Sequence, residues 1–258
     1  MSNQHPPTEN HPRYSTHPVS YMRRGTRLQG RRQTVWDTHA DSYVIDVPRE
    51  FTDTSVRSDY VFDPVEHFGR EAELVVEIGS GLGEAVVHLA AQAPEKNFLA
   101  VEVYKPGLAS TLGKIAGKKL SNVRVVEADA VHALERMLPA ASVTELYLFF
   151  PDPWHKKRHH KRRLVRDSFV PIAARVLKPG GVWRLATDWS DYAEQMRDVL
   201  DRAPQFENPY AERASESSRE EGLGGGWAPR YEGRVHTSFE NKAHRAGRRV
   251  FDLEYVRR

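Results

Sequence analysis

The sequence predicts an α/β protein: a doubly wound, mostly parallel, Rossmann-like sheet. Three observations predict it. From residue 72 onward, short apolar runs of strand length alternate with stretches of helical periodicity, the order that builds parallel sheets through right-handed crossovers. The first run breaks into Gly79-Ser80-Gly81-Leu82-Gly83, a turn that lets backbone approach a ligand closely. Acids stand at or next to the ends of successive runs (Glu77, Glu102, Asp129), where open α/β sheets bind ligands.

Leu74-Val75-Val76-Glu77-Ile78 reads as a buried strand, and the helix after the glycine turn carries Ala85, Val86, Leu89 and Ala90 before it ends near Pro94. Phe98 to Val103 is the second strand, with a helix over Leu108 to Lys118. Val123 to Asp129 is the third, followed by a helix over Val131 to Met137. Leu146 to Phe150 is the fourth strand. A helix across Val165 to Leu177 stops at Lys178-Pro179-Gly180-Gly181, and Val182 to Thr187 is the fifth strand. Beyond Asp188 a helix runs to about Arg202. Residues 207 to 230 are polar and glycine-rich and read as a mobile excursion, and Arg249 to Val256 alternates as a half-buried strand should.

With 258 residues, 39% hydrophobic and 28% charged, the chain can bury one ample core. It has no cysteine, which excludes disulfides, thiolate metal sites and cysteine nucleophiles. No apolar run is long enough to span a bilayer and the N-terminus carries no signal-peptide pattern, so a cytoplasmic protein with no membrane partner is expected. Residues 1 to about 33 lack hydrophobic periodicity and read as a disordered tail. Residues 1–45 are expected as a flexible basic N-terminal extension and residues 46–258 as the folded domain. In the tail Arg13, Arg23, Arg24, Arg27, Arg31 and Arg32 oppose the single acid Glu9, a pattern that suits loose nucleic-acid binding and a solubilising extension equally. His5, His11 and His17 lack metal-site spacing.

The glycines Gly79, Gly81 and Gly83 miss the third position of the dinucleotide fingerprint, which falls on Glu84. The acids exclude more. A pyrophosphate among Glu77, Glu102 and Asp129 would meet repulsion and unfavourable desolvation. A ligand with a sulfonium, an amino group and a ribose diol fits, and S-adenosylmethionine is the expected cofactor. Glu102, about twenty residues past the glycines, is placed to chelate ribose hydroxyls. Asp129 is placed to receive the adenine amino group or to cap the next helix. Glu77 would orient the methionine end.

The fourth strand stops at Phe149-Phe150-Pro151-Asp152-Pro153-Trp154, followed at once by His155-Lys156-Lys157-Arg158-His159-His160-Lys161-Arg162-Arg163. Asp152 would lie beside the transferable methyl, although Pro-Asp-Pro also makes a plain turn. Trp154 is either core packing or a face on which a base stacks. Lys156, Lys157, Arg158, Lys161, Arg162, Arg163 and Arg166 meet no acid until Asp167, so salt bridges within the run cannot neutralise them and a nucleic acid is the expected partner. Seven phosphate contacts would give a log K against log salt slope of about −6.

These motifs resemble the bacterial tRNA (guanine-N7-)-methyltransferase family over roughly residues 60 to 257. The specific part is Phe149 to Lys156 with Lys161-Arg162-Arg163, supported by Val76 to Gly79, Ala186-Thr187-Asp188-Trp189 and Thr237-Ser238-Phe239-Glu240. The resemblance makes 46–258 an S-adenosylmethionine-dependent methyltransferase domain. It implies methyl transfer from S-adenosylmethionine to N7 of the variable-loop guanine, position 46 in tRNA numbering. It further implies that Glu77, Glu102 and Asp129 bind the cofactor and that Asp152 serves both cofactor and reaction. Lys156, Asp188 and the segment Thr237, Ser238, Phe239 and Glu240 would contact the substrate guanosine region. The family usually carries Lys or Arg where this chain has Ser238. tRNA would be held by the run 156–166, with the tail as a further contact, and the protein would be a monomer or a homodimer.

Guanine N7 is a lone-pair nucleophile carrying no proton, so the reaction needs in-line positioning and no general base. Asp152 and Asp188 would offset the charge developing on the purine or accept hydrogen bonds from guanine N1 and N2. No metal is expected, since His155, His159 and His160 lie among cations. Competing readings are a different acceptor, a non-catalytic RNA-binding protein and an NAD-dependent oxidoreductase. The acid ring and the missing third glycine count against the last two.

Overall fold

The computed structural model describes residues 27–212 and 225–258. Strands β1 (Leu74–Ile78), β2 (Asn97–Glu102), β3 (Val123–Glu127), β4 (Val143–Phe149), β5 (Leu177–Thr187), β6 (Phe206–Glu207) and β7 (Phe251–Arg257) form a single sheet in the order β3-β2-β1-β4-β5-β7-β6. The first five run parallel and β7 lies antiparallel between β5 and β6. The strand order reverses beside β1, between β2 and β4, which is where such sheets open a crevice at their carboxyl ends.

The strands alternate between two cores. Leu74, Val76 and Ile78 of β1 face one hydrophobic cluster while Val75 faces the other. In β4, Leu146 and Leu148 oppose Tyr147 and Phe149 in the same way. Continuous apolar runs therefore mark strands covered on both faces. Trp183 of β5 is wholly buried, where a large apolar side chain contributes about 1.5–3 kcal/mol.

Helices α3 (Glu84–Gln92) and α4 (Lys105–Gly117) cover the second cluster. The first cluster lies under α5 (Ala130–His132), which continues as a π-turn over Ala133–Met137, and under α6 (Val170–Val176) and α7 (Ser190–Asp201). The helix expected over 165–177 is thus shorter, because the chain first makes turns around Ser168 and its last residue, Leu177, joins a longer β5. A short α2 (Pro64–Phe68) is capped by Asp63, whose side chain accepts the Val65 N–H at 2.8 Å.

The expected N-terminal extension divides. Residues 1–26, with most of the basic tail, lie outside the described residues. Residues 31–43, expected as flexible, instead form helix α1 (Arg31–Tyr43). Its Val35, Trp36, Ala40 and Tyr43 are half-buried against the second cluster, Lys105 Nζ stands 4.6 Å from the Trp36 ring, and Val35 lies against Gly113 of α4. Just past α1, Val44 bridges in parallel to Val125, and the Ile45 N–H donates to the Val125 carbonyl at 2.8 Å, along the outer side of β3. Part of the excursion expected over 207–230 (residues 213–224) also lies outside the described residues; the returning chain bridges to β7 through Ala228 and Asp252. Helix α8 (Ser238–Arg245), unforeseen in the sequence, follows: Thr237 caps it, its Oγ1 accepting the Glu240 N–H at 3.2 Å. No described helix is long and apolar enough to cross a membrane.

Candidate active site

The carboxyl ends of β1, β2, β3 and β4 enclose a cavity of about 440 Å³, within the range of small-molecule sites. Glu77, Gly79, Gly81, Glu102, Asp129 and Asp152 all line it. Gly83 stands one residue beyond Leu82 of the wall and starts α3. A Cβ there would fall 2.3 Å from Thr111 Oγ1, and its φ of 76° is left-handed. Gly107, absent from the sequence reading, serves the same turn from α4: a Cβ on it would lie 2.3 Å from the Gly81 carbonyl oxygen. Only a missing side chain lets α4 approach the glycine turn so closely.

The three acids differ in their surroundings. Glu77 is 4% exposed, and its Oε2 has no hydrogen-bond partner. Burial raises its pKa to about 8; a hydrogen bond from the Val86 backbone opposes this and the charge of Glu102 adds to it. Glu102 is tied to the turn: its Oε2 accepts the Gly81 N–H at 2.7 Å, and its Oε1 accepts the N–H groups of Val103 and Tyr104 at 2.8 and 2.9 Å. Asp129 does what its cap reading foresaw, accepting from Val131 and His132 at 2.9 and 3.4 Å, while it also lines the cavity. Cap and ligand contact are thus compatible. Ser80 Oγ is a second buried polar wall atom without a partner. An orphaned carboxylate oxygen and an orphaned hydroxyl in one wall suit the charged amino-acid end of S-adenosylmethionine, so the residues present fit that group.

At the mouth, Asp152 is exposed between two residues with left-handed backbone, Phe150 at φ 52° and Trp154 at φ 47°. Such conformations cost on the order of 1–3 kcal/mol and persist only where the surroundings impose them. Here the Phe150 N–H donates to Ala186 at 2.7 Å, and Arg163 Nε donates to the Pro153 carbonyl at 2.8 Å.

Arg163 corrects the expectation for the basic run. It is 1% exposed, and its guanidinium also reaches Gln195 Oε1 at 2.7 Å and Asp191 Oδ2 at 2.5 Å, which holds the Asp191 carboxyl below its ordinary range. It supports the turn and is withdrawn from any phosphate. Lys157 to Arg162 form a 3₁₀ turn, and Arg162 and Arg166 line the cavity mouth. The Arg162 guanidinium stands 4.9 Å from the Trp154 ring, so one indole face is already covered.

The other expected substrate residues separate. Thr237, Ser238 and Phe239 line the cavity, and the Ser238 N–H donates to Glu84 Oε2 at 2.8 Å. Glu240 does not line it. Its carboxylate is 1% exposed and held by Arg230 Nε at 2.9 Å and Arg234 Nη2 at 3.3 Å, with Arg234 also paired to Asp252. Burial pushes Glu240 up, yet the two guanidinium groups outweigh it and hold its pKa low. Asp188 pairs with Arg248 at 2.7 Å, and Lys156 is exposed; neither lines the cavity. Among the described residues His236, Glu240 and His244 bring three ligand-type atoms within 4.8 Å, but the carboxylate already carries two guanidinium partners, which oppose a further cation.

A doubly wound sheet with a glycine turn, an acid-lined crevice at its switch point and no third fingerprint glycine defines an S-adenosylmethionine-dependent methyltransferase. The family described as "Putative methyltransferase" matches residues 71–253. A tRNA (guanine-N(7)-)-methyltransferase of Paenarthrobacter aurescens (strain TC1) is 54% identical over 280 residues, covering 95% of this chain and 93% of that protein. One of Nocardioides sp. (strain ATCC BAA-499 / JS614) is 45% identical over 240 residues, covering 93% and 87%. Among solved structures, the 16S rRNA methyltransferase KamB aligns with a TM-score of 0.48 at 19% identity, over 81% of this chain and 95% of that one. The chain belongs to the tRNA (guanine-N(7)-)-methyltransferase family.

Proposed function

We propose that this protein transfers a methyl group from S-adenosylmethionine to N7 of the variable-loop guanine, position 46, of tRNA. The observation that carries the reading is the meeting of an acid-lined cavity with a cationic mouth at Asp152. Bound there, the cofactor supplies an electrophilic methyl on a sulfonium. Glu77 takes the amino group through its unpartnered oxygen, Glu102 the ribose hydroxyls and Asp129 the adenine amino group, while Gly79, Gly81 and Gly83 keep the backbone clear.

Asp152, rigid between two prolines, orients the guanine so that the N7 lone pair points at the methyl, and its charge favours the purine as it becomes cationic. No group has to remove a proton. Thr237, Ser238 and Phe239 close the opposite side of the mouth, and the exposed cations of 156–166 hold the tRNA backbone. Lys156 acts at the rim, and Asp188 acts on the substrate through the Arg248 it holds. Glu240 acts as the internal anchor of α8, and no metal takes part. The reaction is cytoplasmic, residues 46–258 are the catalytic unit, the basic tail adds a loose RNA contact, and the active form is a monomer or homodimer.

The test is methyl transfer from labelled S-adenosylmethionine to tRNA transcripts with and without a guanine at position 46, followed by aniline cleavage at N7-methylguanosine. Label and cleavage that disappear with that guanine support the reading. Label that persists elsewhere in the tRNA overturns the site, and no label overturns the reaction.

A further inference from the structure

The cavity draws cations from two segments of the chain. Arg162 and Arg166, from the run after β4, and Lys242 of α8, beside Phe239, all line it although they come from segments far apart in the chain. Phe239 is 42% exposed, and Lys242 Nζ stands 5.3 Å from its ring centroid. Arg245, one turn further on, lies on the same side of the helix and is exposed. The acids that touch this end of the fold are engaged: Glu84 by the Ser238 N–H, Asp188 by Arg248 and Glu240 by Arg230 and Arg234. Among the described residues no carboxylate pairs with Lys242 or Arg245.

We propose that the exposed face of α8, through Lys242 and Arg245, is a second phosphate-binding wall, so that the RNA strand crosses the mouth from the 156–166 run to α8 with the target base between them. The inference rests on the proposed tRNA substrate and adds a binding surface to it. Cations from two separate segments around an acid-lined cavity suit a strand whose backbone is negative and whose reacting base, bearing no phosphate, enters the cavity. Phe239 offers that base an aromatic edge at the rim. Residue 238 lies one helical turn before Lys242 and lines the same cavity, so a cation placed there would reach the same space.

The experiment measures tRNA affinity over a salt series for the full chain, for K242A/R245A, for K242R/R245K and for K157A/R158A. Removing two phosphate-binding cations makes the log K against log salt slope of K242A/R245A shallower by about 1.8. K242R/R245K keeps the wild-type slope, and S238K added to K242A/R245A recovers part of the loss. Thermal melting of each variant is followed alongside, so that the charge-retaining pair separates loss of charge from loss of fold. An unchanged slope in K242A/R245A, with a shallower one in K157A/R158A, overturns the second wall and leaves the tRNA reading intact. Wild-type slopes in both alanine variants would remove both.

Discussion

Glu84 Oε2 accepts the Ser238 N–H at 2.8 Å, joining the first turn of α3 to the first turn of α8. The residue that takes the place of the third fingerprint glycine thus holds the substrate side of the mouth to the cofactor side. E84A leaves the Ser238 N–H without its partner. The expected result is a loss of about 1–2 kcal/mol in stability and faster hydrogen exchange over 238–242, with E84Q close to wild type. Unchanged exchange in E84A would remove the coupling.

Gly107 and Gly81 make the second junction. G107A places a methyl 2.3 Å from the Gly81 carbonyl, and relieving it costs about 1–3 kcal/mol or displaces the turn. S-adenosylmethionine affinity, measured by calorimetry, is expected to fall tenfold or more.

Glu77 sets a pH dependence. Folding raises its pKa from the ordinary 4.5 to about 8, so the folded state favours the protonated form. Its contribution to stability is full below about pH 4.5 and is lost as pH rises through about 8. Melting temperature should fall across that window, and E77Q, which cannot ionise, should flatten the fall. An ammonium group selects the ionised form, so cofactor binding near neutral pH releases protons. Calorimetry in buffers of differing ionisation enthalpy should detect the release in wild type and not in E77Q.

Arg163 and Lys156 should part company. R163A removes the support of the Pro-Asp-Pro turn and costs on the order of 2 kcal/mol or more, whereas K156A stays within about 0.5 kcal/mol in melting experiments. Six cations of the run remain for phosphate, which puts the run's own share of the tRNA salt slope at about −5.

D152N keeps the turn and removes its charge. The turnover number should drop about 10²-fold, the scale of losing one preorganised electrostatic contact, while the melting temperature holds. A turnover within twofold of wild type would take Asp152 out of the reaction.

The five parallel strands were readable because burial on both faces writes them as continuous apolar runs. The acids Glu77, Glu102 and Asp129 were readable because strand ends fall at fixed points of that pattern, and the structure brings all three to one cavity. Helix α1 was not readable: none of its residues is fully buried, so it carries no apolar stripe. The roles of Arg163 and Glu240 were hidden for another reason. Arg163 is fixed by Asp191 and Gln195, far along the chain, and Glu240 by Arg230 and Arg234 in the irregular segment before α8, and no periodicity records either pairing. One signal did exist. Thr237-Ser238-Phe239-Glu240 has the spacing of a helix-capping box, and read that way it announces α8, whose Thr237 cap the structure forms while the Glu240 carboxylate turns to Arg230 and Arg234 instead.

The bridge from Val44 and Ile45 to Val125 lies on a margin of the sheet that would otherwise offer unpaired backbone to any passing strand. At the opposite margin β6 is only two residues long, too short a template for another chain. A shortened protein beginning at residue 46 would keep every cavity residue and still lose the guard on β3. Its penalty would be self-association through that bared margin, rising with concentration, in a molecule whose chemistry is intact.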